Sequence, residues 1–209
     1  VRHLWLAGED RIEVALVNGD PSEMRAHDEV FFLATALAAS GSARRLSVHS
    51  LAPDQLEARL RSGDHLADVD VLVLANVRAP AEDIAPVLRD RVAAGMGLWI
   101  SVGDRVEARA YNERLGELLP LLLREPLIVG TAPGRTEARS EGVAPPNLTH
   151  PILLGLHGEL GLLGTRTRRI FLLEPDPSRS AEVALSFTSG APALISRPFE
   201  RGRVALLTT

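Results

Sequence analysis

The sequence predicts an α/β fold with a doubly wound, mainly parallel sheet and an antiparallel extension at its C-terminal end. Two observations lead to this fold class. Apolar runs typical of strands alternate four times with helical patterns over the first half of the chain, which is typical of a parallel sheet with crossover helices. The second half instead holds several short β-like runs separated by turns.

The first half is expected to form four strand–helix pairs. A run at 12–17 precedes a polar loop, and a run at 70–76 is almost continuously apolar, as in a strand buried on both faces. Asp28 and Glu29 are expected in the first turn of the first helix, where the helix dipole favours acidic side chains. Pro80 similarly suits the first turn of the third helix. The expected strands are 12–17, 45–49, 70–76 and 97–102, and the expected helices are 27–39, 54–61, 80–93 and 104–118.

The second half is expected to add a loop and an antiparallel extension joined to the main sheet. Residues 132–150 are rich in proline, glycine, arginine and glutamate, which is typical of a long loop. Turns are expected at 190–192 and 201–202. The expected strands of the extension are 168–173, 182–187, 192–197 and 203–208.

The ends of the sequence predict that it is one domain excised from a longer protein. The chain begins at Val1 without a methionine, and it stops at Thr209 inside an expected strand. Its 209 residues suit a single domain over 1–209. No run of about 18 apolar residues is present, so we expect any membrane anchor to lie in flanking segments outside this chain.

Composition excludes several classes of function. Cysteine is absent, which excludes thiol nucleophiles, disulfides and zinc sites built on thiolates. All 23 basic residues are arginine, so Schiff-base and P-loop lysines are excluded as well. The net charge of −4 lacks the basic excess of a nucleic-acid-binding protein, and we therefore expect no nucleic-acid partner.

Polar side chains follow three of the expected parallel strands and predict a pocket. Asn18 and Asp20 follow the first strand, Asn76 ends the third, and Ser101 and Asp104 come at the end of the fourth. Ligands of open parallel sheets bind outside the carboxyl ends of the strands. The two aspartates would suit a metal or a polar ligand, but two carboxylates alone are a weak signal. The other interpretation is turn chemistry, in which these side chains bond local backbone groups and Asp104 caps the next helix.

Ser101 is a candidate nucleophile only if a base lies beside it. Of six histidines, His150 has the most suggestive surroundings, in the segment Asn147–Ile152. A nucleophile elbow prefers the pattern G-x-S-x-G, and Trp99 stands where the first glycine would be. The chain also lacks a G-x-G-x-x-G loop after a strand, a Walker A motif and an H-E-x-x-H helix, and no cofactor or metal is expected.

Six segments carry a resemblance to a known family. They are 14–22, 28–33, 70–76, 95–104 with Tyr111 and Asn112, 149–152 and 202–209. Together they resemble the class I glutamine-amidotransferase-like domain of bacterial membrane proteins of the aerotolerance, BatA-like type. The resemblance covers most of the chain.

The resemblance implies a flavodoxin-like fold whose elbow follows the fourth strand. Active amidotransferases carry a cysteine there, in a G-x-C-x-G turn, with a histidine and a glutamate later in the chain. Here the turn reads Ile100-Ser101-Val102-Gly103-Asp104, and His150 resembles a loop element of ThuA-like domains. Glutaminase chemistry is excluded because no thiolate is available to attack the amide.

The resemblance also implies a setting: an extracytoplasmic, periplasmic domain of the cell envelope, accompanied by a von Willebrand factor A-type domain. The sequence thus predicts a non-catalytic domain that contacts protein partners or binds a small ligand. The alternative is a hydrolase of unknown substrate that uses Ser101 or a metal at Asp20 and Asp104. The residues expected to line the pocket are Asn18, Asp20, Asn76, Ser101, Asp104 and His150.

Overall fold

A computed structural model describes residues 11–39, 46–64, 66–129, 140–146, 148–153 and 161–209. Strands and helices alternate through its first half, and strands dominate its second half. The strands are β1 (Ile12–Asn18), β2 (Leu46–Leu51), β3 (Val71–Ala75), β4 (Gly97–Ser101), β5 (Leu123–Ile128), β6 (Glu141–Gly142), β7 (Arg166–Thr167), β8 (Arg169–Leu173), β9 (Glu182–Ser186), β10 (Pro192–Phe199) and β11 (Gly202–Leu207). The helices are α1 (Phe31–Ala39), α2 (Pro53–Arg61), α3 (Ala85–Ala93), α4 (Ala108–Leu115) and α5 (Gly161–Gly164).

The central sheet has seven strands in the order β2-β1-β3-β4-β11-β10-β9. The first five of these strands are mutually parallel, and β10 and β9 join in antiparallel orientation. The mixed α/β class, the mainly parallel sheet and its antiparallel C-terminal part are therefore confirmed. The β10–β11 hairpin returns the chain to the middle of the sheet, where β11 pairs with β4.

Helices α2, α3 and α4 cover one face of the central sheet. Leu56 of α2, Leu88 of α3 and Tyr111 of α4 are buried against strand residues such as Leu72 and Ile100. The apolar side chains of these helices recur at helical spacing, so each helix presents one apolar stripe to the sheet. This layer forms the larger part of the core.

The opposite face is covered in two parts. Val30 and helix α1 lie over β1 and β3, against Leu16 and Val73. The small two-stranded sheets and their loops cover the β10–β11 side, where Phe187 and Ile170 are buried. The mainly parallel strands are apolar on both faces because both faces are packed against other elements.

Two strands expected in the antiparallel extension are placed differently: 168–173 lies outside the main sheet, and 203–208 joins the parallel strands. Residues 168–173 were expected in the main sheet, but β8 pairs with β5 in a separate antiparallel ribbon. Strand β5 has no counterpart among the predicted strands, since Arg124, Glu125 and Pro126 interrupt its apolar pattern. The position beside β4 is taken by β11, because the tight turn at Glu200–Arg201 folds β10 and β11 into a hairpin.

Three predicted helices begin later than expected. Helix α1 begins at Phe31 rather than 27, so Asp28 and Glu29 precede it and lie outside its first turn. Helix α3 begins at Ala85, which leaves Pro80 in the preceding loop. Helix α4 spans Ala108–Leu115 within the predicted 104–118. Residues 104–107 form a loop instead because the Asn76 side chain bonds the backbone there.

The predicted loop at 132–150 is only partly described. Residues 132–139 and 147 lie outside the described residues. Within the described part, Glu141–Gly142 pairs with Arg166–Thr167 as a short ribbon. Among the described residues, no helix is both long enough and apolar enough to cross a membrane.

Candidate ligand site at the carboxyl edge of the sheet

The carboxyl ends of β1, β3 and β4 are joined by backbone hydrogen bonds that continue past the strands. The Gly19 N–H donates to the Ala75 carbonyl at 2.8 Å, and the Asn76 N–H donates to the Ser101 carbonyl at 2.9 Å. The turns that follow these strands are therefore held side by side. This arrangement brings the predicted residues Asn18, Asp20, Asn76, Ser101 and Asp104 to one edge of the sheet.

Asn76 is the centre of a polar network at this edge. Its side chain is almost fully buried, and its backbone is left-handed with φ of 49°, which asparagine tolerates better than most residues. The amide nitrogen donates to Glu29 Oε1 at 2.9 Å and to Asp104 Oδ1 at 2.8 Å. The amide oxygen accepts from the Arg105 backbone N–H at 3.0 Å. One buried side chain thus fixes two surrounding segments, the one before α1 and the loop after β4.

Two glycines allow the turns to approach Asn76 this closely. A Cβ atom at Gly19 would lie 2.0 Å from the Asn76 carbonyl oxygen. A Cβ atom at Gly103 would lie 2.4 Å from Asn76 Oδ1. Both distances are far below van der Waals contact, so a side chain at either position would displace the network.

Three carboxylates converge beside Asn76. Each of Asp20, Glu29 and Asp104 offers an oxygen, and these oxygens lie within 4.8 Å of one another. The Arg105 guanidinium forms a short ion pair with Asp20 and offsets part of the repulsion. The hydrogen bond from Asn76, with Arg169 and Arg105 nearby, lowers the pKa of the Asp104 carboxyl below its usual value. Carboxylate oxygens in this arrangement suit a hard divalent cation or a cationic ligand group.

Asn18 and Asp28 connect this edge to the start of α1. Asn18 Nδ2 donates to Asp28 Oδ2 at 2.8 Å, and Asn18 Oδ1 accepts from the Asp20 N–H at 3.1 Å. Asp28 Oδ1 accepts from the N–H groups of Val30 and Phe31 and so caps α1. Burial opposes ionisation of Asp28, but these hydrogen bonds outweigh it and lower the pKa of its carboxyl.

The turn-chemistry interpretation is correct for Asn18, whose amide oxygen bonds the backbone two residues ahead. For Asp104, the expected capping of the next helix is wrong. Helix α4 begins at Ala108 with Glu107 at its N-cap, and the Asp104 carboxylate accepts from Asn76 and from its own backbone N–H.

Ser101 and His150 are bonded to different partners. The Ser101 hydroxyl accepts from the Trp99 indole N–H at 2.9 Å. His150 Nδ1 accepts from the Ile152 N–H at 3.2 Å, and its Nε2 lies 3.7 Å from Glu182 Oε2. Glu182 is on β9, whereas Ser101 ends β4. Three strand spacings of about 4.8 Å separate β9 from β4, so the two strands lie roughly 14 Å apart. The expected place of His150 in the pocket is therefore wrong.

Two clefts flank Asp104 and Arg105. One has a volume of about 150 Å³ and lies between Leu56, Val77 and the Arg105 side chain. The other has about 300 Å³ and is lined by Asp104, Thr167 and neighbouring arginines. Both open at the carboxyl edge, where an open parallel sheet binds its ligands.

A larger groove of about 590 Å³ lies between α3 and α4, away from this edge. Two of the arginines that line it, Arg114 and Arg179, donate to backbone carbonyls of nearby loops. They serve the packing of those loops, and the carboxyl edge therefore remains the stronger candidate for a ligand site.

Sequence reasoning missed Glu29 and Arg105 as members of the site. The sequence pattern predicts a helix at Glu29, whereas this residue lies before α1 and faces Asn76. It also predicts that Arg105 belongs to the helix after β4, whereas Arg105 lies in the loop and pairs with Asp20. The position of Arg105 shortly after the end of β4 was an available signal, whereas Glu29 lies far from either neighbouring strand and had none.

No protein-family model matches this chain, and no curated protein matches it. Solved structures do resemble it. The cytoplasmic protein STM1381 of Salmonella typhimurium LT2 matches with a TM-score of 0.66 and 13% identity, over 95% of this chain and 88% of that one. The cytoplasmic protein STM3548 of Salmonella typhimurium matches with a TM-score of 0.66 and 13% identity, over 95% and 87%.

A β-galactosidase from Rahnella sp. R3 also contains a similar region. The match has a TM-score of 0.60 and 14% identity, and it covers 95% of this chain but 28% of that enzyme. At such identities these likenesses show a shared fold.

Proposed function

We propose that this chain is a non-catalytic, amidotransferase-like α/β domain that binds a small polar ligand at the carboxyl edge of its sheet. The observation that carries the proposal is the network centred on Asn76, which holds three carboxylates and an arginine at this edge. Charged groups that are held in place lose little entropy when a ligand arrives, which favours binding.

The arrangement of strands supports the flavodoxin-like part of the proposal. The order β2-β1-β3-β4 at one side of the sheet is that of flavodoxin-like folds, which bind ligands at a switch point of this edge. Helices lie over both faces of this part of the sheet. The turn after β4 then corresponds to the elbow of the amidotransferase family.

The hydrogen bonding of Ser101 supports the non-catalytic part. A nucleophilic serine needs a base within about 3.2 Å. In the described part of the chain, the hydroxyl of Ser101 is hydrogen-bonded by the Trp99 indole, and the nitrogens of His150 face Ile152 and Glu182 instead. The sequence also supplies no thiol for glutamine hydrolysis.

A thermal-shift titration tests ligand binding at this edge. Glutamine, glutamate, Mg²⁺ and Ca²⁺ serve as probes, since binding to the folded state alone raises the melting temperature by mass action. A shift in the wild type that Asp104→Asn abolishes supports the proposal. Asp83→Asn is the matched control, because Asp83 pairs with Arg61 on a different surface. No shift with any probe, or equal loss in both variants, counts against this site.

One alternative is favoured by a specific observation. The three converging carboxylates would suit a metal-dependent hydrolase, in which a divalent ion activates water. Hydrolysis of p-nitrophenyl acetate or p-nitrophenyl phosphate that requires Mg²⁺ and is lost in Asp104→Asn would support this alternative. Ammonia release from glutamine above buffer would contradict both functions.

The setting of the domain is a further part of the proposal. By its resemblance to BatA-like proteins, we place it outside the cytoplasm in a membrane-anchored protein of the cell envelope, beside a von Willebrand factor A-type domain. Protease digestion of intact spheroplasts carrying the full-length protein tests this placement. Cleavage of the domain without lysis is expected, and protection until lysis would overturn the placement.

A further inference from the structure

Helix α1 exposes an apolar surface that no described part of the chain covers. Its nine residues carry no charge, and none of them is buried. The Phe32 side chain is 63% exposed, and Leu33 beside it is also exposed. A helix that is apolar all round is normally buried, so this surface is expected to contact another molecule.

The sheet edge next to α1 is also unprotected. Strand β2 pairs with β1 on its inner side, and no described strand lies on its outer side. Helix α1 contacts β2, so the apolar helix and the free edge form one continuous surface. The six residues of β2 include no proline, lysine, arginine or carboxylate, which are the usual devices that prevent a strand edge from pairing.

Two other strand edges in the described part of the chain carry such devices. Strand β9 has an irregular register with β10, and the segment 142–144 bonds Ser186 and Thr188 at its end. Strand β5 contains Arg124, Glu125 and Pro126. Strand β2 has none of these features, which favours its open edge as a surface for pairing.

We propose that β2 and α1 form the interface of a homodimer, in which two copies of β2 pair antiparallel about a two-fold axis. This proposal goes beyond the ligand site and does not depend on it. Such an interface is isologous, and each copy supplies the same strand and the same helix. Helix α1 and strand β2 themselves hold no aspartate, glutamate, lysine or arginine. The charged side chains that lie against them have opposite signs, Arg25 over the Phe31 ring and Glu13 at His49, so a second copy brings no excess of one charge to the interface despite the net charge of −4.

The residues of β2 select one register. In antiparallel pairs, opposite residues point to the same face, so the two-fold axis must pass beside a residue of β2. An axis at Val48 places this apolar residue against its own copy, on the face that α1 covers. It also places Ser47 opposite His49 of the second copy, and these side chains already bond one another within one chain at 3.1 Å. An axis at His49 would instead oppose two histidines.

Sedimentation velocity tests the dimer. The wild type is expected to sediment as a dimer of twice 22.5 kDa and to dissociate on dilution. Phe32→Glu on α1 and Ser50→Lys on β2 are both expected to give monomers, since each introduces a charge at an exposed position of the interface. Leu127→Glu is the matched control, because Leu127 is an exposed apolar residue of β5.

A cross-link tests the register, because the chain has no cysteine of its own. In the proposed register, Val48→Cys places two thiols on directly opposite residues, within the Cα separation of about 4.4 to 6.8 Å that a disulfide needs. Mild oxidation is expected to convert most of this variant to a covalent dimer, while Val183→Cys on β9 remains monomeric on a non-reducing gel.

Several outcomes would overturn the dimer. These are a wild type that stays monomeric at all concentrations, dissociation caused by Leu127→Glu instead of Phe32→Glu, and equal cross-linking of the Val48→Cys and Val183→Cys variants. Circular dichroism spectra equal to the wild type show that the variants are folded. The thermal shift at the carboxyl edge should be unchanged in Phe32→Glu, which separates this test from that of the ligand site.

Discussion

Helices α4 and α1 lie on opposite faces of the same sheet and differ in how their composition relates to burial. Helix α4 is rich in charged residues, yet Tyr111 and Leu115 form a buried stripe. Helix α1 is almost entirely apolar, yet none of its residues is buried. The difference teaches that the pattern of apolar residues, rather than their number, determines which helix is packed into the core. The apolar residues of α1 follow no single stripe, and Phe32 and Leu33 stay exposed.

The largest expected effect comes from matched leucine truncations on the two faces. Leu88→Ala removes a fully buried side chain of α3, next to α4, and should lower the free energy of unfolding by about 2–5 kcal/mol. Leu33→Ala on the exposed side of α1 should cost at most about 1 kcal/mol in the monomer. Urea denaturation measures both. Similar costs would show that α1 is as well packed as the opposite layer.

The second largest effect is expected in the polar network at the carboxyl edge rather than in either helix. Asn76→Ala removes the hydrogen bonds to Glu29 and Asp104, and it places alanine at a left-handed backbone position. A loss of about 1–3 kcal/mol is expected from the lost bonds, with about 1 kcal/mol more from the backbone.

Asn76→Gly is the control for the backbone contribution, since glycine adopts positive φ freely. Asn76→Gly should lose only the stabilisation from the hydrogen bonds, so it should be more stable than Asn76→Ala. If the two variants unfold at the same urea concentration, the left-handed backbone contributes nothing to the requirement for asparagine.

A smaller effect is expected from crowding the same network. Gly103→Ala places a Cβ atom 2.4 Å from Asn76 Oδ1, so the turn must shift at a cost of about 1–3 kcal/mol. Gly161→Ala is the matched control, because its Cβ would meet no atom within 4 Å. Thermal unfolding should show a lower melting temperature for the first variant only. Equal melting temperatures would mean that the turn after β4 is free to move.

The smallest effect is the pH dependence of the carboxyl edge. The pKa of Asp104 is lowered in the folded state, so its contribution to stability is complete above the unfolded value near 4 and is lost as pH falls through the folded pKa. Because Asp104 is exposed, we expect only a few tenths of a kcal/mol. The difference in unfolding free energy between wild type and Asp104→Asn should shrink from pH 6 to pH 2.5. A constant difference would contradict the ionic contribution.

Much of the central fold follows from the sequence. The apolar run at 70–76 predicts a strand buried on both faces, and the structure confirms it as Val71–Ala75. The turn residue Gly190 precedes β10, and Gly202 begins β11 directly after the expected turn. Strand β5 was not predicted because Arg124, Glu125 and Pro126 break its apolar pattern. Its pairing with β8 stabilises the strand, and this pairing cannot be read from the local sequence. Local sequence predicts a strand only where its own side chains carry the signal.

The candidate site was also predicted only in part, because only some of its residues carry a local signal in the sequence. Asn18, Asp20, Asn76 and Asp104 follow strands directly, so a parallel sheet must bring them to one edge. Arg105 was missed because the backbone before α4 is held by the side chain of Asn76, which belongs to a distant segment. Glu29 was missed because Asp28 caps α1 locally and the helix begins only at Phe31, which leaves Glu29 before it.

The sequence by itself determined the strand and helix periodicity, the parallel character of the sheet and the absence of thiol chemistry, because these depend on residue type and local spacing. The tertiary structure alone decided that Asn76 joins Glu29 to Asp104, that His150 lies beside β9, and that α1 is left exposed beside a free strand edge. These features depend on which segments meet in space. Hydrogen bonding and burial between distant residues have no local signature in the chain.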